Sequence, residues 1–241
     1  MKFPEILRPF FELLIPNTCP VCNAFIEEGA FICEACDKDL IPLKDPMCIK
    51  CALPRESKSG VNELCFRCIS ENRYFDTIFG AFEYTSAAKK IFSRAKFGYR
   101  EDAVRRLAEI AMHRNLFPFC FLSSRPDLKW TSVPMHPKDL RQRGFNTSRI
   151  ILDVLKEKEI ATRDQNFLKR IQPRIRGNSK IERKMLSQKA FEMRKENAEM
   201  PSSVVVVDDV MSSGATLSAI ARCLKKAGVK NVFGVVLARK D

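Results

Sequence analysis

Eight of the ten cysteines precede residue 72 and fall into four Cys-x-x-Cys pairs: Cys19/Cys22, Cys33/Cys36, Cys48/Cys51 and Cys65/Cys68. This spacing turns two thiolates toward one metal ion, and two such turns complete a closed tetrahedral site of four sulfurs. The pairs are separated by 10, 11 and 13 residues, so they can combine sequentially or interleave, first with third and second with fourth. Either arrangement predicts two structural Zn2+ sites with no open coordination position. A disulfide framework is the competing use of so many cysteines, but it belongs to secreted domains. About 55 residues bury little apolar surface, so metal binding is expected to supply much of this segment's folding free energy.

The second constellation is Asp208-Asp209-Val210-Met211-Ser212-Ser213-Gly214-Ala215-Thr216, which follows four consecutive valines, Val204 to Val207. The valines suit a strand buried on both faces, which the two acids are expected to end. Ser212, Ser213 and Thr216 offer hydroxyl donors, and Gly214 lets the backbone approach a ligand closely. A helix starting here aims free N–H groups at one place, which suits a phosphate monoester. Asp208 and Asp209 accept hydrogen bonds, as the hydroxyls of a sugar would require.

These residues need a frame to hold them. Leu217, Ile220, Ala221 and Leu224 form a helical stripe that stops at Gly228, and Val232 to Ala238 reads as the next strand, completing a βαβ unit. Upstream, Ile78–Tyr84 and Trp130–Pro134 read as strands, and Ala87–Phe97, Glu101–Phe117 and Asp139–Lys158 as helices. The alternation predicts an α/β fold, a mainly parallel sheet with helices on both faces, preceded by the small zinc-ribbon domain. The expected divisions are an amphipathic N-terminal helix over 1–16, the double zinc ribbon over 17–72 and the α/β domain over 73–241.

The chain carries 42 Lys+Arg against 29 Asp+Glu, a formal net charge of +13. Residues 1–72 hold 8 basic and 11 acidic side chains, so the surplus lies entirely in the second domain. Residues 163–195 alone hold 11 basic and 3 acidic side chains, suited to a diphosphate, a nucleotide or a nucleic-acid backbone. Eight thiolates and two Zn2+ would reduce the total to about +9. With 45% hydrophobic residues the chain is not disordered, and no run approaches the roughly 20 apolar residues of a membrane span. Phe3, Ile6, Leu7, Phe10, Phe11 and Leu14 share a helical face interrupted by Glu5, Arg8 and Glu12, unlike a secretory signal. The expected location is cytoplasmic, with that face either buried on the next domain or docked peripherally at the inner membrane surface. Cys120, Cys223, His113 and Trp130 read as packing residues.

Val204–Leu217 resembles the 5-phosphoribosyl-1-diphosphate (PRPP) signature of class I phosphoribosyltransferases. The paired Cys-x-x-Cys segments, Lys96-Phe97, Val133-Pro134-Met135-His136 and Arg143-Gly144-Phe145-Asn146 extend the resemblance to the ComF/GntX family over nearly the whole chain. The resemblance implies a phosphoribosyltransferase-like fold in which Asp208 and Asp209 hold ribose and Ser212, Ser213, Gly214, Ala215 and Thr216 hold its 5′-phosphate. It also implies that Pro134, Met135 and His136 form the diphosphate loop. Lys96 and Arg100 would neutralise the diphosphate, with a solvated cationic helix end as the alternative for both. Arg143 and Asn146 would be substrate contacts or a helix N-terminal brace. Mg2+ would enter with PRPP, chiefly through substrate oxygens.

The implied activity is phosphoribosyl transfer to an unidentified nitrogenous base, associated with DNA uptake in natural competence. The alternative is a non-catalytic PRPP- or nucleotide-sensing adaptor that binds single-stranded DNA or competence-machinery proteins. Two departures stand out. Ser212 occupies a place where purine-salvage relatives carry an acid, and a hydroxyl is too weak an acid–base group for that role. The stretch corresponding to the mobile catalytic loop carries Arg174, Gly177, Asn178, Arg183 and Leu186 rather than the usual family pattern, keeping only Arg183.

Overall fold

The computed structural model describes residues 17–240 except 28, 56–62, 98–99, 119–121, 123–124, 126, 163, 174–188 and 195–199. The expected N-terminal helix, Cys120 and the loop positions Arg174, Gly177, Asn178, Arg183 and Leu186 lie outside the described residues.

The cysteine segment repeats one local design. Cys19 and Cys22 sit on a turn closed by Asn23 N–H to Cys19 O at 2.9 Å, and Cys48 and Cys51 on one closed by Ala52 N–H to Cys48 O at 2.9 Å. The second pair of each half opens a five-residue helix: Cys33 caps α1 (Glu34–Lys38) and Cys65 caps α2 (Phe66–Ser70). Residues 41–43 between the halves run antiparallel to β1 (Thr77–Glu83), with Leu43 N–H to Ala81 O and Glu83 N–H to Ile41 O both at 2.9 Å. An edge that would otherwise be open to pairing is thus covered.

After β1 come α3 (Ser86–Phe97), α4 (Glu101–His113), β2 (Leu128–Ser132), α5 (Pro137–Arg143) and α6 (Thr147–Glu157). A short antiparallel hairpin, β3 (Leu168–Arg170) with β4 (Phe191–Met193), precedes β5 (Ser203–Met211), α7 (Ala215–Lys226) and β6 (Asn231–Arg239). The main sheet has the order β1-β6-β5-β2 with every pair parallel, in the register Trp130↔Val205↔Phe233↔Thr77. The central strands β5 and β6 are buried on both faces, which explains their near-continuous apolar sequences.

Alternation along those strands separates two cores. Val205, Val207, Phe233, Val235 and Leu237 pack with α3, α4, α6 and the cysteines Cys19 and Cys36. Val204, Val206, Val232 and Val236 pack with α7, the hairpin and the cysteines Cys48, Cys51, Cys65 and Cys68. The two halves of the cysteine segment therefore serve opposite faces of one sheet. Trp130 lies in the first core and Cys223 packs at the edge of the second, as ordinary packing residues.

Three expectations differ from the structure. The acids do not end β5, because it continues through Val210 and Met211, paired with Ala238 and Arg239. The helix expected over 139–158 is two helices, broken where Gly144 turns left-handed at φ 85° and Asn146 caps the second. The helix expected over 101–117 stops at His113, two residues before Asn115 at φ 51°. The hairpin was not anticipated, since three-residue strands inside a strongly charged stretch leave little alternation to read.

Candidate functional site

The carboxyl ends of β2 and β5 open on a cavity of about 610 Å3. Asp208, Asp209 and Thr216 line one side, Pro134, Met135, Arg143 and Asn146 another, and Lys96 reaches in from the end of α3. Eight sequence-predicted residues distant in the chain thus share one cleft.

Both acids are held by the first turn of α6. Ser148 Oγ donates to Asp208 Oδ1 at 2.9 Å and Thr147 Oγ1 to Asp209 Oδ2 at 2.8 Å. Lys96 Nζ lies 3.7 Å from the same Asp209 oxygen, while Asp209 N–H donates to Asp208 Oδ1 at 2.9 Å. Both line the cleft, Asp209 buried and Asp208 half-buried. Burial, with the Asp209 carboxylate adding to it, pushes the Tyr84 phenol above its ordinary range.

The turn after β5 has the shape its sequence requires. Gly214 caps α7 with φ 76°, a left-handed conformation that favours glycine. A Cβ there would stand 2.6 Å from Met211 Cε and 2.9 Å from Arg73 Nη1, so the ends of those two side chains would have to shift to admit it. Ser212 and Ser213 are exposed, and Ala215 N–H donates to Ser213 Oγ at 3.3 Å. The start of a twelve-residue helix under exposed hydroxyls is a favourable seat for a phosphate.

The remaining candidates occupy supporting positions. His136 caps α5, its Nδ1 accepting from Lys138 N–H at 3.1 Å. Asn146 lines the cleft and braces it, accepting from Ser148 N–H at 3.1 Å and donating to Val133 O at 2.9 Å. Arg100 does not line the cleft; it grips Asp102 through two contacts of 2.8 Å, and that hydrogen bond holds the Asp102 carboxyl below its usual range. Phe97 of the Lys96-Phe97 motif and Arg170 of the basic segment also line the cleft, as do Thr147, Ser148, Asp139 and Gln142, which the sequence reading did not place there. The signal for Thr147 and Ser148 was present in Gly144-Phe145-Asn146-Thr147-Ser148, a helix stop followed by a helix cap.

The cysteines combine sequentially. Cys19, Cys22, Cys33 and Cys36 form one cluster and Cys48, Cys51, Cys65 and Cys68 the other, with all sulfurs of a cluster within 4.8 Å of one another. The Cys22–Cys33 and Cys51–Cys65 sulfurs are 3.6 Å apart. A tetrahedron with Zn–S bonds of about 2.3 Å has edges near 3.8 Å, so both tetrads fit structural zinc. In the second, hydrogen bonding from Cys51 holds the Cys48 thiol down at about 4, whereas burial pushes Cys68 up to about 12.

A parallel α/β sheet with two acids before a glycine-capped helix start, carrying two four-cysteine clusters, defines a phosphoribosyltransferase-fold protein with a double zinc ribbon. Residues 10–69 match the double zinc ribbon domain family and residues 144–241 the phosphoribosyl transferase domain family. The chain is 25% identical over 205 residues to the competence protein ComFC of Bacillus subtilis strain 168, covering 82% of this chain and 79% of that one. It is 24% identical over 226 residues to the DNA utilization protein YhgH of Salmonella typhimurium, covering 91% and 96%. With both domains and these relatives, the chain matches the ComF family.

Proposed function

We propose that the cleft binds PRPP and transfers its phosphoribosyl group to a nitrogenous base, in a pathway of DNA uptake or utilisation such as its relatives' names describe. The observation that carries this reading is the pair Asp208 and Asp209, fixed by Ser148 and Thr147 beside the Gly214 turn. A ribose 5-phosphate spans that interval, with its hydroxyls on the acids and its phosphate on the turn. Lys96 and Arg143 then stand where the departing diphosphate would develop charge, and the loop at Pro134 and Met135 supplies its wall. The chain's contribution is positioning and charge stabilisation, since Ser212 offers no general base. The half-buried Asp208 carboxylate fits a Mg2+ ion carried in by substrate oxygens, which would neutralise diphosphate charge. Diphosphate release from PRPP with a panel of bases tests the proposal. Asp208→Asn with Asp209→Asn should abolish release, and unchanged turnover in the double variant would refute the site.

A second reading, a PRPP-sensing adaptor for single-stranded DNA, is favoured by the basic 163–195 segment reaching the cleft at Arg170. It predicts single-strand binding that weakens steeply as salt rises to physiological levels.

A further inference from the structure

Behind the phosphate turn lie two buried guanidinium groups that the reaction outlined above does not use. Arg239, at the end of β6, is 2% exposed. Its Nη1 donates to Met211 O at 3.0 Å and Ser212 O at 2.7 Å, where the turn begins, and also to Lys240 O. On its other side Nε donates to Cys51 O at 3.0 Å, and Nη2 lies 3.9 Å from Cys51 Sγ. Arg73 is buried behind Gly214, over the Phe75 ring, with Glu71 3.5 Å from its Nη2. Its Nε and Nη1 have no hydrogen-bond partner among the described residues.

Two buried cations demand a compensating charge nearby. Four thiolates around one Zn2+ carry a net charge of about −2, which faces Arg239 and, beside Glu71, Arg73 in the same region of the core. No such cation joins the first tetrad to the turn among the described residues.

We propose that Arg239, backed by Arg73, is a positioning residue that couples the second metal centre to the phosphate turn, so that metal held there orders the turn and strengthens its grip on a phosphorylated sugar. The ordering half stands on the geometry of Arg239 alone; the affinity half rests on the PRPP reading above. Coupling is reciprocal, so ligand on the turn must also retain the metal.

The test uses the full zinc-loaded chain and its Arg239→Met variant, with two readouts. In amide hydrogen exchange, the variant should exchange residues 212–217 at least about fivefold faster than wild type, with α4 unchanged. In chelator-driven zinc release, PRPP should slow one of the two ions at least about fivefold in wild type and neither in the variant. Should Arg239→Met lose cooperative unfolding, Arg239→Lys carries the same comparison, because an ammonium keeps the charge but its single nitrogen cannot span from the Met211 and Ser212 carbonyls on one side to the Cys51 carbonyl on the other. Equal exchange at residues 212–217 in wild type and variant overturns the coupling. So does PRPP that binds wild type yet leaves both release rates unchanged or faster. Failure of PRPP to bind wild type at all counts against the phosphoribosyl reading, and the exchange result then decides the coupling by itself.

Discussion

The two cysteine tetrads have the same ligand chemistry and the same knuckle-plus-helix design, but they are built into the molecule differently. In the first, Cys22 is exposed and Cys33 half-exposed, while Cys19 and Cys36 are buried in the α3–α4 core. In the second all four cysteines are buried and form part of the α7 core. Among the described residues only the second touches Arg239, which also bonds the turn that begins at Met211. The same four-cysteine motif thus meets two different surroundings, and on the proposed coupling only loss of the second metal centre would reach the cleft.

The contrast can be broken most directly by removing one ligand from each tetrad. Cys51→Ser should lower Tm by at least about 10 °C and Cys22→Ser by about 5 °C or less, at about 2–4 °C per kcal/mol for a chain of this size. Each variant should lose one zinc ion, measured by metal analysis beside thermal unfolding. Equal Tm losses would erase the distinction. Thr147→Val comes next. It strips a hydrogen bond from the buried Asp209 carboxylate, with a cost of about 1–3 kcal/mol. PRPP affinity should fall about fivefold or more, with zinc content unchanged by metal analysis.

The smallest effect belongs to Arg100→Gln. Arg100 grips Asp102 outside the cleft, so PRPP binding by titration calorimetry should stay within about twofold of wild type. The pH dependence follows from the same pair. The folded Asp102 carboxyl lies below its unfolded range, so its contribution is full above the ordinary carboxylate pKa and fades as pH falls through the lowered one. The variant should therefore flatten a small acid-side slope in stability and leave neutral pH nearly unchanged.

Much of this was readable because local chemistry dictated it. Four Cys-x-x-Cys pairs and the Val204–Leu217 segment each state their geometry within a few residues. The sequential pairing of the tetrads was not readable, because separations of 10, 11 and 13 residues permit both arrangements and three-dimensional packing chooses. Thr147 and Ser148 were hidden by treating 139–158 as one helix, although Gly144 and Asn146 marked the break. Arg239 left only a faint signal, one cation closing the apolar run of β6, and Arg73 left none. Their importance arises from meeting Cys51 and Gly214 across the fold, a relation no local pattern carries.

The most direct measurement is a calorimetric titration of PRPP with Mg2+ into the zinc-loaded chain and into its Asp208→Asn, Asp209→Asn variant. Wild type should bind one PRPP per chain, and the double variant should lose that binding while keeping both zinc ions. No binding by wild type, or equal binding by the variant, would contradict the assignment of the cleft.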